Sequence, residues 1–206
     1  MSFFNYIFSN KHSTSQQVPE SNEPVKATPT TPTQEYAQLM KFTLALNALL
    51  MSEKYLARSD YRRLVEDYAE LNSFFQNQKA AKTLSYYCST NGVPGAEVEA
   101  FLRNYADIAN LETGSDSIRR HNQTFLERHL ESEKDYLDNI LKSVDPVISL
   151  DAEQRRVVLS DEDYTLVIAG AGAGKTTTVA AKVRYLVEKQ HVNPEQILVI
   201  SFTNKA

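Results

Sequence analysis

Only six of the 206 residues are glycine, and three of them, Gly170, Gly172 and Gly174, fall within five positions. They lie in Ala169-Gly-Ala-Gly-Ala-Gly-Lys-Thr176. Upstream, Tyr164-Thr-Leu-Val-Ile-Ala169 is an apolar run of strand length. Downstream, residues 174–189 place Val179, Val183, Leu186 and Val187 at helical spacing. The join fits the phosphate-loop pattern G-x-x-x-x-G-K-[ST], with Ala169 in place of the first glycine. Small residues let a backbone wrap closely round an anion, and glycines open dihedrals closed to other residues. The loop then offers a concave run of N–H groups, and the following helix aims its N-terminus at the same place. Lys175 is placed to reach β and γ phosphates, and the Thr176 hydroxyl to ligate a bridging Mg²⁺. These residues predict a nucleoside triphosphate site over Ala169, Gly170, Ala171, Gly172, Ala173, Gly174, Lys175, Thr176 and Thr177, with Lys175 and Thr176 as catalytic candidates. A bare glycine-rich turn would not require Lys and Thr in that register.

A second apolar strand is expected over Ile197–Thr203, after an Asn193-Pro194 turn, which makes a β-α-β unit of parallel type. Residues 151–159 read as a short helix. From Gln34 to about Val144 the pattern is helical throughout. Tyr61, Leu64, Val65, Tyr68, Leu71 and Phe75 mark one helix face, with Ser59 and Asp60 as its N-cap candidates. Val98, Phe101, Leu102, Tyr105 and Ile108 form the next stripe. Ile118, Phe125, Leu126, Leu130, Leu137, Ile140, Leu141 and Val144 run along one long helix that ends before Pro146. Core packing is the simplest reading of all these stripes, tyrosines included. Residues 9–34 hold four of the seven prolines among Ser, Thr, Gln and Asn, which predicts a disordered linker.

Net charge is −4 and the isoelectric point about 5.6, which excludes a globally basic nucleic-acid binder but leaves room for a local basic groove. The single Cys88 excludes an internal disulfide and a cysteine-rich metal site. The most apolar helical stretch, Phe42 to Met51, is about half the length that crosses a bilayer. Met1–Phe8 is apolar but lacks the basic lead of a signal peptide. A cytoplasmic protein without membrane contact is expected, its apolar tip being either incidental or a docking peptide for a partner.

Two flanking texts narrow the class: Leu150-Asp-Ala-Glu-Gln-Arg-Arg-Val-Val158 and Ser201-Phe-Thr-Asn-Lys-Ala206. With the loop between them, they resemble the start of the first motor domain of UvrD/Rep-type superfamily 1 DNA helicases. That family shows Leu-x-x-x-Gln, then Ala-Gly-Ala-Gly-Ser-Gly-Lys-Thr, then a strand ending in Thr-Phe-Thr-Asn-Lys-Ala. Ser201 and Ala173 depart from the commoner form without removing a required group. His121-Asn122 and the run through Leu141 resemble, more faintly, the lead-in of helicase IV-type members. The resemblance implies that Gln154 reads adenine, since an amide matches the N6/N7 edge. It implies that Thr203, Asn204 and Lys205 contact single-stranded DNA, and that ATP and Mg²⁺ are the cofactors.

The fold expected is an α-helical N-terminal region followed by the start of an α/β P-loop NTPase (RecA-like) domain with a parallel sheet. Its divisions are a tail and linker over 1–34, a helical region over 35–145 and the beginning of the ATP-binding domain over 146–206. The family's acidic pair and γ-phosphate arginines would follow residue 206, so the sequence is expected to be the N-terminal piece of a longer DNA helicase, with little activity by itself. Two alternatives stand beside it. One is a non-catalytic helical interaction module, docking a protein partner and carrying an incomplete nucleotide site. The other is a P-loop ATPase unrelated to helicases, which leaves Gln154 and Thr203–Ala206 unexplained.

Overall fold

A computed structural model describes residues 33–110 and 112–200. The expectations for the N-terminal tail, for the linker through residue 32 and for Thr203, Asn204 and Lys205 lie outside those residues. Six helices build a first layer of structure: α1 (Gln34–Leu50), α2 (Arg58–Asp67), α3 (Ala69–Ala80), α4 (Leu84–Asn91), α5 (Gly95–Ile108) and α6 (Asp116–Ser132). The α5 stripe behaves as its spacing predicts, with Val98, Phe101, Leu102, Tyr105 and Ile108 all buried. Phe101 packs edge-on against Phe42 of α1 at 4.9 Å and against Phe75 of α3 at 5.9 Å between ring centroids. Edge-to-face pairs of this kind add about 0.5–1.5 kcal/mol each beyond the area they bury. The tyrosines Tyr68 and Tyr105 join the same cluster, and the Tyr105 hydroxyl donates to the Val65 carbonyl at 3.0 Å.

A second, smaller core gathers Leu137 of α7 (Lys134–Asn139), Val158 and Leu159 of α8 (Ala152–Leu159), and Ala181 and Tyr185 of α9 (Lys175–Glu188). Ile140, Leu141 and Leu150 complete it, and Leu126 and Leu130 of α6 pack against it. Helix α6 therefore serves both cores: Ile118, near its start, belongs to the first.

The His121-Asn122 pair of α6 clamps the connection between α1 and α2. The two ring nitrogens of His121 lie 3.0 and 2.8 Å from the Leu50 and Lys54 carbonyls. Buried Asn122 accepts from Leu56 N–H at 2.8 Å and donates to Leu56 C=O at 2.9 Å. One side chain thus satisfies both polar groups of a fully buried residue's backbone. Asp107, at the end of α5, caps α6: it accepts from Asp116 N–H at 2.7 Å, Ser117 N–H at 3.1 Å and the Ser115 hydroxyl at 2.9 Å. The Ser117 hydroxyl donates to it as well. Burial alone would push the Asp107 carboxyl up, but these donors hold it below the usual carboxylate range.

Four expectations require correction. The parallel sheet is absent: among the described residues there is no strand, and neither 164–169 nor 197–200 pairs with a neighbour. The exposures do alternate as a strand's would: Leu166 85%, Val167 41% and Ile168 89%, then Leu198 83%, Val199 57% and Ile200 75%. Sidedness of period two is a property of each segment, whereas a sheet needs a hydrogen-bonded partner for it. Apolar text therefore overstated the fold: the described part is all-helical. Second, the helix expected through Tyr61–Phe75 breaks at Tyr68, which ends α2 and precedes α3. Its stripe continues across the break because both pieces face the same core. Third, the long helix expected from Ile118 to Val144 divides at Glu133 into α6 and α7. Fourth, the N-cap of α2 is Ala57, with Ser59 and Asp60 already inside the helix. No helix of the described residues is long and apolar enough to cross a membrane.

Candidate functional site

Helix α8 starts on a capping box spelled Asp151-x-x-Gln154. Asp151 Oδ1 accepts from Gln154 N–H at 2.8 Å, and Gln154 Oε1 accepts from Asp151 N–H at 2.9 Å. The box fixes the Gln154 amide, whose Nε2 donates to the Ala173 carbonyl at 3.2 Å. Gln154 is thereby brought against the phosphate-type loop, 19 residues away in sequence.

The loop turns on two glycines in the left-handed region, Gly172 and Gly174, both at φ +76°. Gly174 is also the N-cap of α9. A Cβ at Gly174 would lie 2.5 Å from Gln154 Nε2, so no other residue fits beneath that amide without displacing it. A Cβ at Gly170 or Gly172 would meet nothing within 4 Å. Both positions therefore face open space.

Lys175 is the first helical residue and is exposed. Its ammonium donates back to the Ala169 carbonyl at 2.9 Å and to the Gly170 carbonyl at 2.7 Å, so the charge hangs over the loop. Thr176 is exposed at the helix N-terminus and Thr177 is half-buried. The N–H groups of residues 175–177 have no preceding turn to bond to, which leaves three donors and the positive end of the helix dipole at the loop. Thr178 closes the first turn, its N–H donating to the Gly174 carbonyl at 2.8 Å and its hydroxyl to the same oxygen at 3.0 Å. The nine predicted residues are thus contiguous but of two kinds, 169–174 forming the loop and 175–177 the first turn of α9, with Gln154 hydrogen-bonded to the loop at Ala173. Among the described residues no group of three His, Cys, Asp or Glu side chains could hold a metal by itself. Any ion at Thr176 would need oxygens from the ligand.

Sequence reasoning missed the supports of this site. Lys182 of α9 donates to the Val158 carbonyl at 2.9 Å and to the Ser160 carbonyl, tying the C-terminus of α8 to α9. Burial pushes its ammonium down from the ordinary lysine range. Arg155 of α8 donates to the Leu150 carbonyl at 2.9 Å and pairs with Asp138 of α7 at 2.5 Å. The capping-box spelling could have pointed to Asp151. Nothing in the local text points to Lys182, whose partners are carbonyls more than twenty residues away.

Residues 150–206 match the model of the UvrD/REP helicase N-terminal domain. The chain is 36% identical over 108 residues to DNA helicase IV of Escherichia coli, which covers 52% of the chain and 15% of that protein. It is 45% identical over 65 residues to a probable DNA helicase II homolog of Mycoplasma capricolum, covering 31% of the chain and 9% of the relative. It is 40% identical over 70 residues to the ATP-dependent DNA helicase UvrD1 of Mycobacterium leprae, covering 34% and 8%. The chain thus matches a small part of the length of each of these relatives. No solved structure matches it.

Proposed function

We propose, from residues 150–206 being the opening of a UvrD/Rep-type helicase domain, that this chain binds ATP and serves as the nucleotide-binding part of a DNA helicase. The activity would be ATP-driven translocation on single-stranded DNA with unwinding of duplex. The observation that carries the reading is the loop itself. Two left-handed glycines lead straight into a helix N-terminus, and the Lys175 ammonium folds back onto the Ala169 and Gly170 carbonyls of the same loop.

Each residue has a task in this reading. Lys175 exchanges its two loop carbonyls for β and γ phosphate oxygens, and residues 170–177 present backbone N–H groups to the same anion. The Thr176 hydroxyl is the protein's ligand for Mg²⁺. Gln154 trades its bonds to the Ala173 carbonyl and the Asp151 N–H for the adenine edge, an exchange of two neutral hydrogen bonds for two. Thr203, Asn204 and Lys205 are assigned to the single strand, where short polar groups and a lysine suit phosphate contacts. Bound ATP with Mg²⁺ supplies the phosphoryl-transfer chemistry. Residues 1–34 are assigned as tail and linker, 35–145 as an accessory helical region and 146–206 as the beginning of the ATP-binding domain.

The chain has no tryptophan, so a fluorescently labelled ATP analogue is the suitable probe. Lys175→Ala is expected to weaken its binding about 10- to 150-fold, the equivalent of the 1.5–3 kcal/mol carried by charge-assisted hydrogen bonds. Unchanged affinity would sink the loop assignment.

A further inference from the structure

Helix α2 caps itself only in part. Its N-cap, Ala57, has no side-chain acceptor, and from within the helix only Asp60 reaches back, accepting from Ala57 N–H at 2.8 Å. The first two helical N–H groups are satisfied from 104 residues away. Arg58 N–H donates to Glu162 Oε1 at 2.9 Å, and Ser59 N–H donates to Asp163 Oδ2 at 2.7 Å. The Ser59 hydroxyl donates to the other oxygen, Asp163 Oδ1, at 2.7 Å. Two carboxylates at a helix N-terminus also complement its dipole. None of the ten residues of α2 is fully buried. A helix this short has little stability of its own, so its first turn depends on what caps it.

The other end of the same loop is held by the nucleotide-site helix. Lys182 of α9 grips the Val158 and Ser160 carbonyls. Lys182 stands seven residues after Lys175, two helical turns along nearly the same face. Immediately after Asp163 the chain runs through Tyr164–Ile168 into the phosphate-type loop. Four residues, 160–163, therefore join α9 on one side to the start of α2 on the other.

We infer that residues 160–163 are a latch that couples nucleotide binding at the 169–177 loop to the order of the first turn of α2. The inference rests on the nucleotide reading of that loop. The two states are a capped and a frayed α2 N-terminus. A ligand that stiffens the loop and α9 holds Ser160 through Lys182, and so holds Glu162 and Asp163 in capping position. Linkage is reciprocal: freeing α2 from the latch weakens nucleotide binding by the same factor. The helical region thereby acquires a function, as a reporter of the nucleotide site.

Hydrogen–deuterium exchange of the whole protein tests this, with and without Mg²⁺ and a non-hydrolysable ATP analogue. In the parent, the analogue is expected to slow exchange at residues 169–177 and, by about threefold, at residues 58–61. In Asp163→Ala the first effect persists and the second disappears. In Ser59→Ala, a surface change that keeps both backbone bonds and touches neither core, the effect at 58–61 falls to less than half. Protection of 169–177 with no change at 58–61 in the parent overturns the latch and leaves the nucleotide reading standing. So does an equal change at 58–61 in parent and variants. Absence of protection at 169–177 itself removes the nucleotide reading, and the latch falls with it.

Discussion

Three glycine-to-alanine changes in one loop should differ in a calculable way. Alanine at a left-handed φ costs about 1–2 kcal/mol, while a stiffer unfolded chain returns about 0.4–1 kcal/mol. Gly170 is not in the left-handed region and has open space around it. Gly170→Ala is therefore expected to be neutral or slightly stabilising. Gly172 has φ +76° and the same open space, so Gly172→Ala should lose about 0.5–1 kcal/mol net. Gly174 has the same φ, but its Cβ would sit 2.5 Å from Gln154 Nε2. The amide must swing away, forfeiting its bonds to the Ala173 carbonyl and the Asp151 N–H. At about 0.5–1.5 kcal/mol per bond, Gly174→Ala should lose about 1.5–4 kcal/mol in all. Urea unfolding followed by circular dichroism measures the series, and Gln154→Ala supplies the control. In that background Gly174→Ala should cost no more than Gly172→Ala does, a coupling of about 1–3 kcal/mol. Equal losses at Gly172 and Gly174, or a Gly174 penalty undiminished by Gln154→Ala, would refute the packing described for the loop.

Two further outcomes follow from the helical region. Asn122→Leu keeps the branched shape but strands the N–H and C=O of buried Leu56. A loss of about 2–4 kcal/mol is expected, seen as a fall of roughly 5–15 °C in Tm. A fall below 2 °C would mean that Leu56 finds other partners. Asp107 sets a pH dependence: its folded carboxyl titrates below the unfolded one. Its stabilisation is therefore complete above the ordinary aspartate value of about 4 and is lost as pH falls through the depressed folded value. Acid titration should expose the amides of Asp116 and Ser117 early in exchange experiments, and Asp107→Asn should flatten that response.

The legible parts of this molecule were those written locally. The α5 stripe lies within about fifteen residues and folds as its spacing requires, and Gly172 and Gly174 take the left-handed dihedrals that glycine allows. Gln154 was marked by resemblance and is placed by a capping box that its own spelling shows. Most of the failures are non-local, the helix breaks and the N-cap of α2 excepted. Residues 164–168 and 197–200 have strand-like sidedness, but a strand is defined by a neighbour that no single segment encodes. Tyr68 ends one helix and opens the next without interrupting the apolar spacing, so periodicity does not register the bend. Glu162, Asp163 and Lys182 read as ordinary surface charge, and their partners lie between 22 and 104 residues away.

The double duty of α6 bears on how the chain acquires its shape. Every member of the first core lies at or before Ile118, whereas every fully buried member of the second lies at or beyond Leu137. Chains emerge from the ribosome N-terminus first. The first core, and the beginning of α6 with it, can close before any residue of the phosphate-type loop has been synthesised. Leu126 and Leu130 are then an apolar ledge already standing, and α7, α8 and α9 condense on it. The phosphate-type loop, with its two left-handed glycines, is thus assembled on a support already finished. Slowing the closure of the first core should therefore delay the second, and not the reverse.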